Sequence, residues 1–110
     1  MKDLELYTSN RQLKADLVAD VNAGHYAFYK GHYKTDRFID LRGEKEAKKL
    51  LKRAVYETPH SDMRVHGPRF TGEEYAVIFK ASVDYTDLYV KVFVYTGVPT
   101  FDIHELDQFM

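Results

Sequence analysis

Two segments of the chain carry apolar residues at helical spacing and predict amphipathic helices. In residues 10–22, one helical face carries Leu13, Leu17, Val18 and Val21. Ser9 and Gln12 form a capping-box pattern at the start of this segment, and Gly24 suits the left-handed position that often follows a helix end. In residues 44–56, a second helical face carries Ala47, Leu50, Leu51, Ala54 and Val55.

The last third of the chain alternates apolar and polar residues with the period of a β-strand. This alternation predicts strands over 75–82, 88–95 and 100–105. Because turn-forming residues separate the three segments, we expect an antiparallel meander with one face packed against the helices. The other face would carry Lys80, Tyr89, Lys91, Phe93, Tyr95 and His104.

Three other segments have weaker patterns. Residues 25–35 are aromatic and basic, and we expect them to be extended with a turn at Gly31. Residues 36–41 are either a weak strand or the approach to the second helix. Residues 60–72 are punctuated by glycine and proline, which predicts a loop. This loop carries His60, Arg64, His66 and Arg69, and loops beside a rigid sheet often hold functional residues.

Together these elements predict a single domain, residues 1–110, of the α+β class, with two helices packed on a C-terminal antiparallel sheet. A hydrophobic content of 45% favours a folded chain over a disordered one. The chain has no cysteine, which excludes a disulfide scaffold, a thiolate zinc site and a cysteine nucleophile. No secretory signal or apolar run of about 20 residues is visible, so we expect a cytoplasmic protein without a membrane partner.

The formal net charge of −1 conceals two opposed regions. Residues 30–69 hold eleven basic and six acidic residues, a net charge of +5. Residues 70–110 hold two basic and seven acidic residues, a net charge of −5. Near-neutrality of the whole chain therefore does not exclude an anionic substrate, which the basic region could meet locally.

The candidate chemistry is metal-independent RNA cleavage. The chain lacks the HExxH, GxxxxGK[ST], GxGxxG and GxSxG motifs, and its histidine spacings do not suggest a metal site, so we expect no metal and no cofactor. RNA cleavage through the ribose 2′-hydroxyl needs a base, an acid and cations, which His, Tyr, Lys and Arg supply. The predicted strands and the adjacent loop offer such residues, although ordinary surface roles would also explain them.

Short motifs at both ends of the chain resemble one family of ribonucleases. The first helix ends in Val21-Asn-Ala-Gly24, and the last two strands contain Tyr89-Val-Lys91 and Phe101-Asp-Ile-His-Glu105. With the order helix, helix, three-stranded meander, these motifs resemble the RelE-like fold and, within it, the MqsR family of toxin endoribonucleases. The resemblance spans about residues 10–105. It implies an mRNA interferase of a toxin–antitoxin system, with RNA as substrate and a cognate antitoxin or other protein as partner.

The resemblance also implies roles for individual residues. Tyr89 matches the active-site Tyr of the family's Tyr-x-Lys strand, His104 takes the position of a basic residue on the last strand, and Lys80 lies near a family Gln. The family's Lys at the end of its second helix has no counterpart, which leaves His60 or Arg64 as candidates to replace it. The candidate catalytic residues are thus His104, Tyr89, Lys80 and His60. The candidate substrate-binding residues are Arg64, Arg69 and Lys91.

The sequence leaves two other functional hypotheses open. The aromatic surface and the acidic C-terminal third also fit a non-catalytic protein-binding inhibitor from a phage or mobile element. The basic segment, with Tyr26, Tyr29 and Tyr33 available for stacking, also fits nucleic-acid binding without cleavage.

Overall fold

The helices begin and end close to where the apolar periodicity places them, and a third helix lies between them. The computed structural model describes residues 1–68 and 74–106. Helix α1 spans Asn10–Asn22, α2 spans Tyr33–Arg42 and α3 spans Glu44–Glu57. Short 3₁₀ helices occur at Leu4–Leu6 and His60–Asp62.

Helices α1 and α3 confirm their sequence-based predictions because their apolar stripes are buried in one core. The buried residues of the two helices are Leu13, Leu17, Val21, Ala47, Leu50, Leu51, Ala54 and Val55. Ser9 precedes α1 as expected, but its side chain makes no capping hydrogen bond, and Gln12 instead donates to Asp16. Gly24 adopts a positive φ of 75° after the helix, as predicted. Lys14 ties α1 to the end of α3 by donating to two carbonyl oxygens there.

Helix α2 corrects two predictions. Residues 25–35 are not extended throughout, because only Ala27–Phe28 form a strand and α2 begins at Tyr33. Residues 36–41 are not a strand but lie inside α2. The turn at Gly31 is present, with a φ of 92°, and the Gly31 N–H donates to the Asp36 carboxylate. The described residues therefore form three α-helices rather than two.

The strands form one five-stranded mixed sheet. Its strands are β1 (Ala27–Phe28), β2 (Val65–His66), β3 (Ala76–Val83), β4 (Thr86–Tyr95) and β5 (Val98–Glu105), in the order β1-β5-β4-β3-β2. The meander of β3, β4 and β5 is antiparallel as predicted, and β2 extends it in the same sense. Strand β1 pairs with β5 in parallel. The sheet is therefore mixed and wider than the three strands predicted from the sequence.

One hydrophobic core lies between the sheet and the helices α1 and α3. Apolar residues of β3, β4 and β5 fill it together with the stripes of the two helices and Phe38 of α2. Within residues 1–68 and 74–106, no helix has the length and apolar character needed to cross a bilayer.

The hairpin between β3 and β4 gives a prediction about stability. Its two loop residues, Asp84 and Tyr85, both have positive φ, which residues other than Gly, Asn and Asp adopt reluctantly. Tyr85 is fully exposed, so its side chain contributes no packing. We expect Tyr85→Gly to raise the free energy of unfolding by about 0.5–1 kcal/mol, measured by urea denaturation. Tyr85→Ala is the control, because alanine meets the same backbone penalty; equal stability of the two variants would contradict the prediction.

Candidate active site on the outer face of the sheet

The register of the sheet determines which polar side chains share a face. Lys80 of β3 pairs with Tyr89 of β4, and Tyr89 pairs with His104 of β5. Residues paired across strands project from the same face, so these three side chains form one row. Lys91 and Asp102 are paired in the next row. The residues that alternate with them belong to the core beneath the helices. The predicted sharing of one face is thus confirmed, and we call this side, away from α1 and α3, the outer face.

The first row holds two rings whose pKa values differ from those of free side chains. Tyr89 and His104 stack, with ring centroids 5.0 Å apart. Nδ1 of His104 lies 3.0 Å from the carbonyl oxygen of Glu105, which can only accept, so the neutral ring carries its hydrogen on Nδ1 and its lone pair on Nε2. Burial lowers the pKa of His104 below 6.5, with help from Lys34 and against the opposing effect of Asp102. Burial, and then the Asp102 charge, raises the pKa of Tyr89 above 10.0. At neutral pH the row therefore presents a neutral imidazole beside a protonated phenol.

A second histidine, His32, joins this site from the loop before α2. Its Nδ1 lies 3.3 Å from Oδ1 of Asp102, which is buried on β5. The same oxygen accepts a 2.6 Å hydrogen bond from the hydroxyl of Thr35, and that hydroxyl accepts one from the N–H of Ile103. These contacts hold the first turn of α2 against β5 and fix the position of His32. This contact is at ion-pair distance and is not a hydrogen bond, since Nδ1 of His32 has no hydrogen-bond partner in the described part of the chain.

Sequence reasoning missed His32 as a site residue. The stretch around it is aromatic and basic, and its ring stacks with Tyr29 and Tyr33 on either side. The only local signal was this combination of His and Tyr. The decisive contact is with Asp102, far along the chain, and no spacing in the sequence reveals it.

The second row, with Lys91 and Asp102, borders a concave region that we call the sheet groove, and the row of Lys80, Tyr89 and His104 lies beside it. It has a volume of ≈ 320 Å³, at the lower end of the range of small-ligand sites. The loop before α2 forms one side and β2 forms the other. Its lining combines cationic or ionisable groups with aromatic rings, namely Tyr29, His32, His66, Gly67, Glu74, Ala76, Ile78, Lys91, Phe93, Tyr95 and Asp102. The lining carries two carboxylates, Glu74 and Asp102, against one lysine, Lys91, so its aromatic rings rather than its charge favour a planar ligand such as a nucleobase.

The remaining predicted residues lie elsewhere or outside the described part of the chain. His60 is in the 3₁₀ helix that contacts α1, where it borders a depression with Lys14 and Val18. The structure therefore does not bring His60 to Tyr89 and His104, because a packed sheet separates the two sides. Arg64 is exposed directly before β2, next to the groove-lining His66. Arg69 lies outside the described residues.

No group of three or more His, Asp and Glu side chains in residues 1–68 and 74–106 is arranged to hold a metal ion. Comparisons of the chain with protein-family models, with curated proteins and with solved structures give no match. The resemblance to MqsR toxins stays a hypothesis that rests on the motifs described above.

Proposed function

We propose that the protein is a metal-independent endoribonuclease, acting as the toxin of a toxin–antitoxin system. The observation that carries the proposal is the convergence on one face of two histidines, His32 and His104, with Tyr89, Lys80 and Lys91. This set contains each group that cleavage through the 2′-hydroxyl requires: a base, an acid and cations for the phosphate.

In the proposed reaction, His104 accepts the proton of the ribose 2′-hydroxyl, and the 2′-oxygen attacks the adjacent phosphorus. The bond from phosphorus to the 5′-oxygen breaks, and the imidazolium of His32 donates the proton that the leaving oxygen takes. The products are a 2′,3′-cyclic phosphate and a 5′-hydroxyl, so atoms and charges balance without a co-reactant. The phenol of Tyr89 donates to a phosphoryl oxygen, and Lys80 and Lys91 offset the charge that develops there.

The electrostatic state of the site supports this division of roles. Because burial lowers the pKa of His104, its ring is neutral at pH 7 and able to accept a proton. His32 differs in its surroundings, because the Asp102 carboxylate lies 3.3 Å from its Nδ1. Two groups of the same type in different environments are a common arrangement of an acid and a base.

The order of the elements also supports the toxin proposal. Helices α1 and α3 and the meander β3 to β5 follow the order that the resemblance to the RelE-like fold and the MqsR family implies, whereas α2, β1 and β2 depart from it. A toxin of this kind would have a cognate protein antitoxin as its partner, and the outer face is the surface that such a partner would cover.

Expression of the chain in bacteria tests the proposal directly. We expect growth arrest and fragmented transcripts with the wild type, and neither with His104→Ala at an equal level of folded protein. Purified protein should cleave a single-stranded RNA in the presence of EDTA and leave ends with a 2′,3′-cyclic phosphate. A 2′-deoxy substitution at the cleaved position should block the reaction. Unchanged growth and intact transcripts with folded wild-type protein would contradict the proposal.

A non-catalytic protein-binding inhibitor is the second candidate. It is favoured by the exposed rings of Tyr33 and Tyr95, since exposed aromatic side chains often anchor protein interfaces. A stoichiometric protein partner in a host lysate, together with undamaged RNA, would support this candidate over the first. An antitoxin would also be captured, so the ribonuclease assay decides between the two.

A further inference from the structure

A second concave region lies at the β1 edge of the sheet, on the side that faces α3. It has a volume of ≈ 600 Å³ and no role in the site described above. The segment around β1 forms one wall and the exposed face of α3 forms the other. We call it the lysine groove, and its lining residues are Gly24, Tyr26, Ala27, Phe28, Lys30, Glu44, Lys48 and Lys52.

The lysine groove and the sheet groove adjoin at the β1 edge of the sheet, where consecutive residues line one groove and then the other. Strand β1 has two residues and is the outermost strand in the order of the described sheet. Immediately after it, Tyr29 lines the sheet groove while the next residue, Lys30, lines the lysine groove. An extended ligand that leaves the sheet groove over this edge therefore enters the lysine groove directly.

The charge of the lysine groove favours an anionic ligand. It contains three lysines against one carboxylate, Glu44. Lys48 lies 3.4 Å from Glu44 in an exposed pair, which contributes little and is readily exchanged for a phosphate contact. In the described part of the chain, Lys30 and Lys52 form no ion pair. Tyr26 is half-buried in the same groove and offers a ring for stacking.

We propose that the lysine groove is a second binding site for single-stranded RNA, occupied by the part of the substrate strand that continues past the sheet groove over β1. The inference rests on the proposed endoribonuclease function and adds a length requirement to it. Single-stranded nucleic acids bind tracks of basic and aromatic side chains over about 4–16 nucleotides. An extended RNA strand can occupy both adjoining grooves, whereas a compact ligand would fill only one of them.

Helix α3 offers a matched pair of variants for the test. Lys48 and Lys52 line the groove, whereas Lys45 and Lys49 have the same spacing on the same helix but lie outside it. The double variants K48E/K52E and K45E/K49E change the net charge equally. Binding is measured with non-cleavable 2′-O-methyl oligonucleotides of about 4 and about 12 nucleotides, so that the result does not depend on catalysis.

We expect K48E/K52E to weaken binding of the longer probe by at least about tenfold and to leave the shorter probe nearly unchanged. For the longer probe, the slope of log K for binding against log salt should become less negative by about 1.4, since two phosphate contacts are lost. K45E/K49E should have a much smaller effect on both probes. K30E tests the same groove from a different element, and thermal unfolding checks that each variant is folded.

Equal weakening by the two double variants, or no weakening by K48E/K52E, would overturn the inference while leaving the proposed cleavage at Tyr89 and His104 intact. A polyglutamate probe covers the other anionic class. If K48E/K52E weakens its binding but not that of RNA, the groove binds an acidic protein instead and the inference is overturned. Absence of RNA binding by the folded wild type would overturn both the inference and the proposed function.

Discussion

Replacing His104 by alanine is expected to lower the rate constant of RNA cleavage by about 10²–10⁴-fold, the range for a lost general base. The ring is held by its stack on Tyr89 and by the contact of Nδ1 with the Glu105 carbonyl, which leaves Nε2 as the basic atom. Single-turnover cleavage of a short RNA at saturating enzyme measures the effect. His104→Ala should still unfold cooperatively, because most of the core lies on the opposite face of the sheet.

Two further variants separate this explanation from a general loss of structure. Tyr89→Phe keeps the stacked ring and removes only the hydroxyl, so its loss of rate should come without a loss of stability. His60→Ala should leave cleavage unchanged, because the proposed site excludes His60, which lies against α1. A loss of cleavage in His60→Ala as large as that in His104→Ala would contradict the proposed site.

The pH dependence of cleavage follows from the lowered pKa of His104. The base is active when neutral. On the acidic side, the rate should therefore fall when the pH drops through the pKa of His104 in the folded protein, which is lower than 6.5. The acidic limb of the pH–rate profile should therefore lie below the ordinary range of histidine. A half-maximal point on this limb above pH 6.5 would contradict His104 as the base.

Replacing Thr35 by valine is expected to lower the free energy of unfolding by about 2–4 kcal/mol, because two buried groups lose their partner. The Thr35 side chain is fully buried and connects α2 to β5 through Asp102 and the N–H of Ile103. Valine keeps the volume but can neither donate to the carboxylate nor accept from the amide. Urea denaturation measures the change.

Thr35→Ser is the matched control, because serine keeps the hydroxyl and loses one methyl group, at a cost of about 1 kcal/mol. Thr35→Val should also reduce cleavage, since the contact that positions Asp102 beside His32 is lost. If the serine and valine variants are equally stable, the hydrogen bonds of Thr35 do not hold α2 in place.

The sequence predicts well those elements whose own residues show a periodic pattern of apolar positions. Helix α3 buries all five apolar residues of its stripe, and β3 to β5 follow their alternation. Helix α2 buries only Thr35 and Phe38, so its sequence shows no apolar stripe that would predict a helix. Thr35 is buried because of a partner on β5, and a hydrogen bond between distant residues leaves no periodic pattern. Strands β1 and β2 have two residues each, too few to show alternation.

The candidate site divides in the same way. Tyr89 and Lys91 could be predicted to share a face, because they alternate on one regular strand. Lys80 and His104 lie on other strands, and the observed register is what places them beside Tyr89. His32 could not be predicted, because its position depends on how α2 packs against β5. His60 was placed with the site by its nearness to the sheet in sequence, yet its short 3₁₀ helix packs on α1.

The placement of β5 between β1 and β4 has a consequence for the time course of folding. The hydrogen bond from Thr35 to Asp102 joins residues 67 positions apart, and β1 likewise obtains its strand partner from β5. Such distant contacts form late, because a long loop must close before they contribute. A chain emerging from a ribosome therefore contains all the residues of α1 and α3 well before Asp102 is available to His32. We expect the nascent chain to lack cleavage activity until β5 has been synthesised and docked.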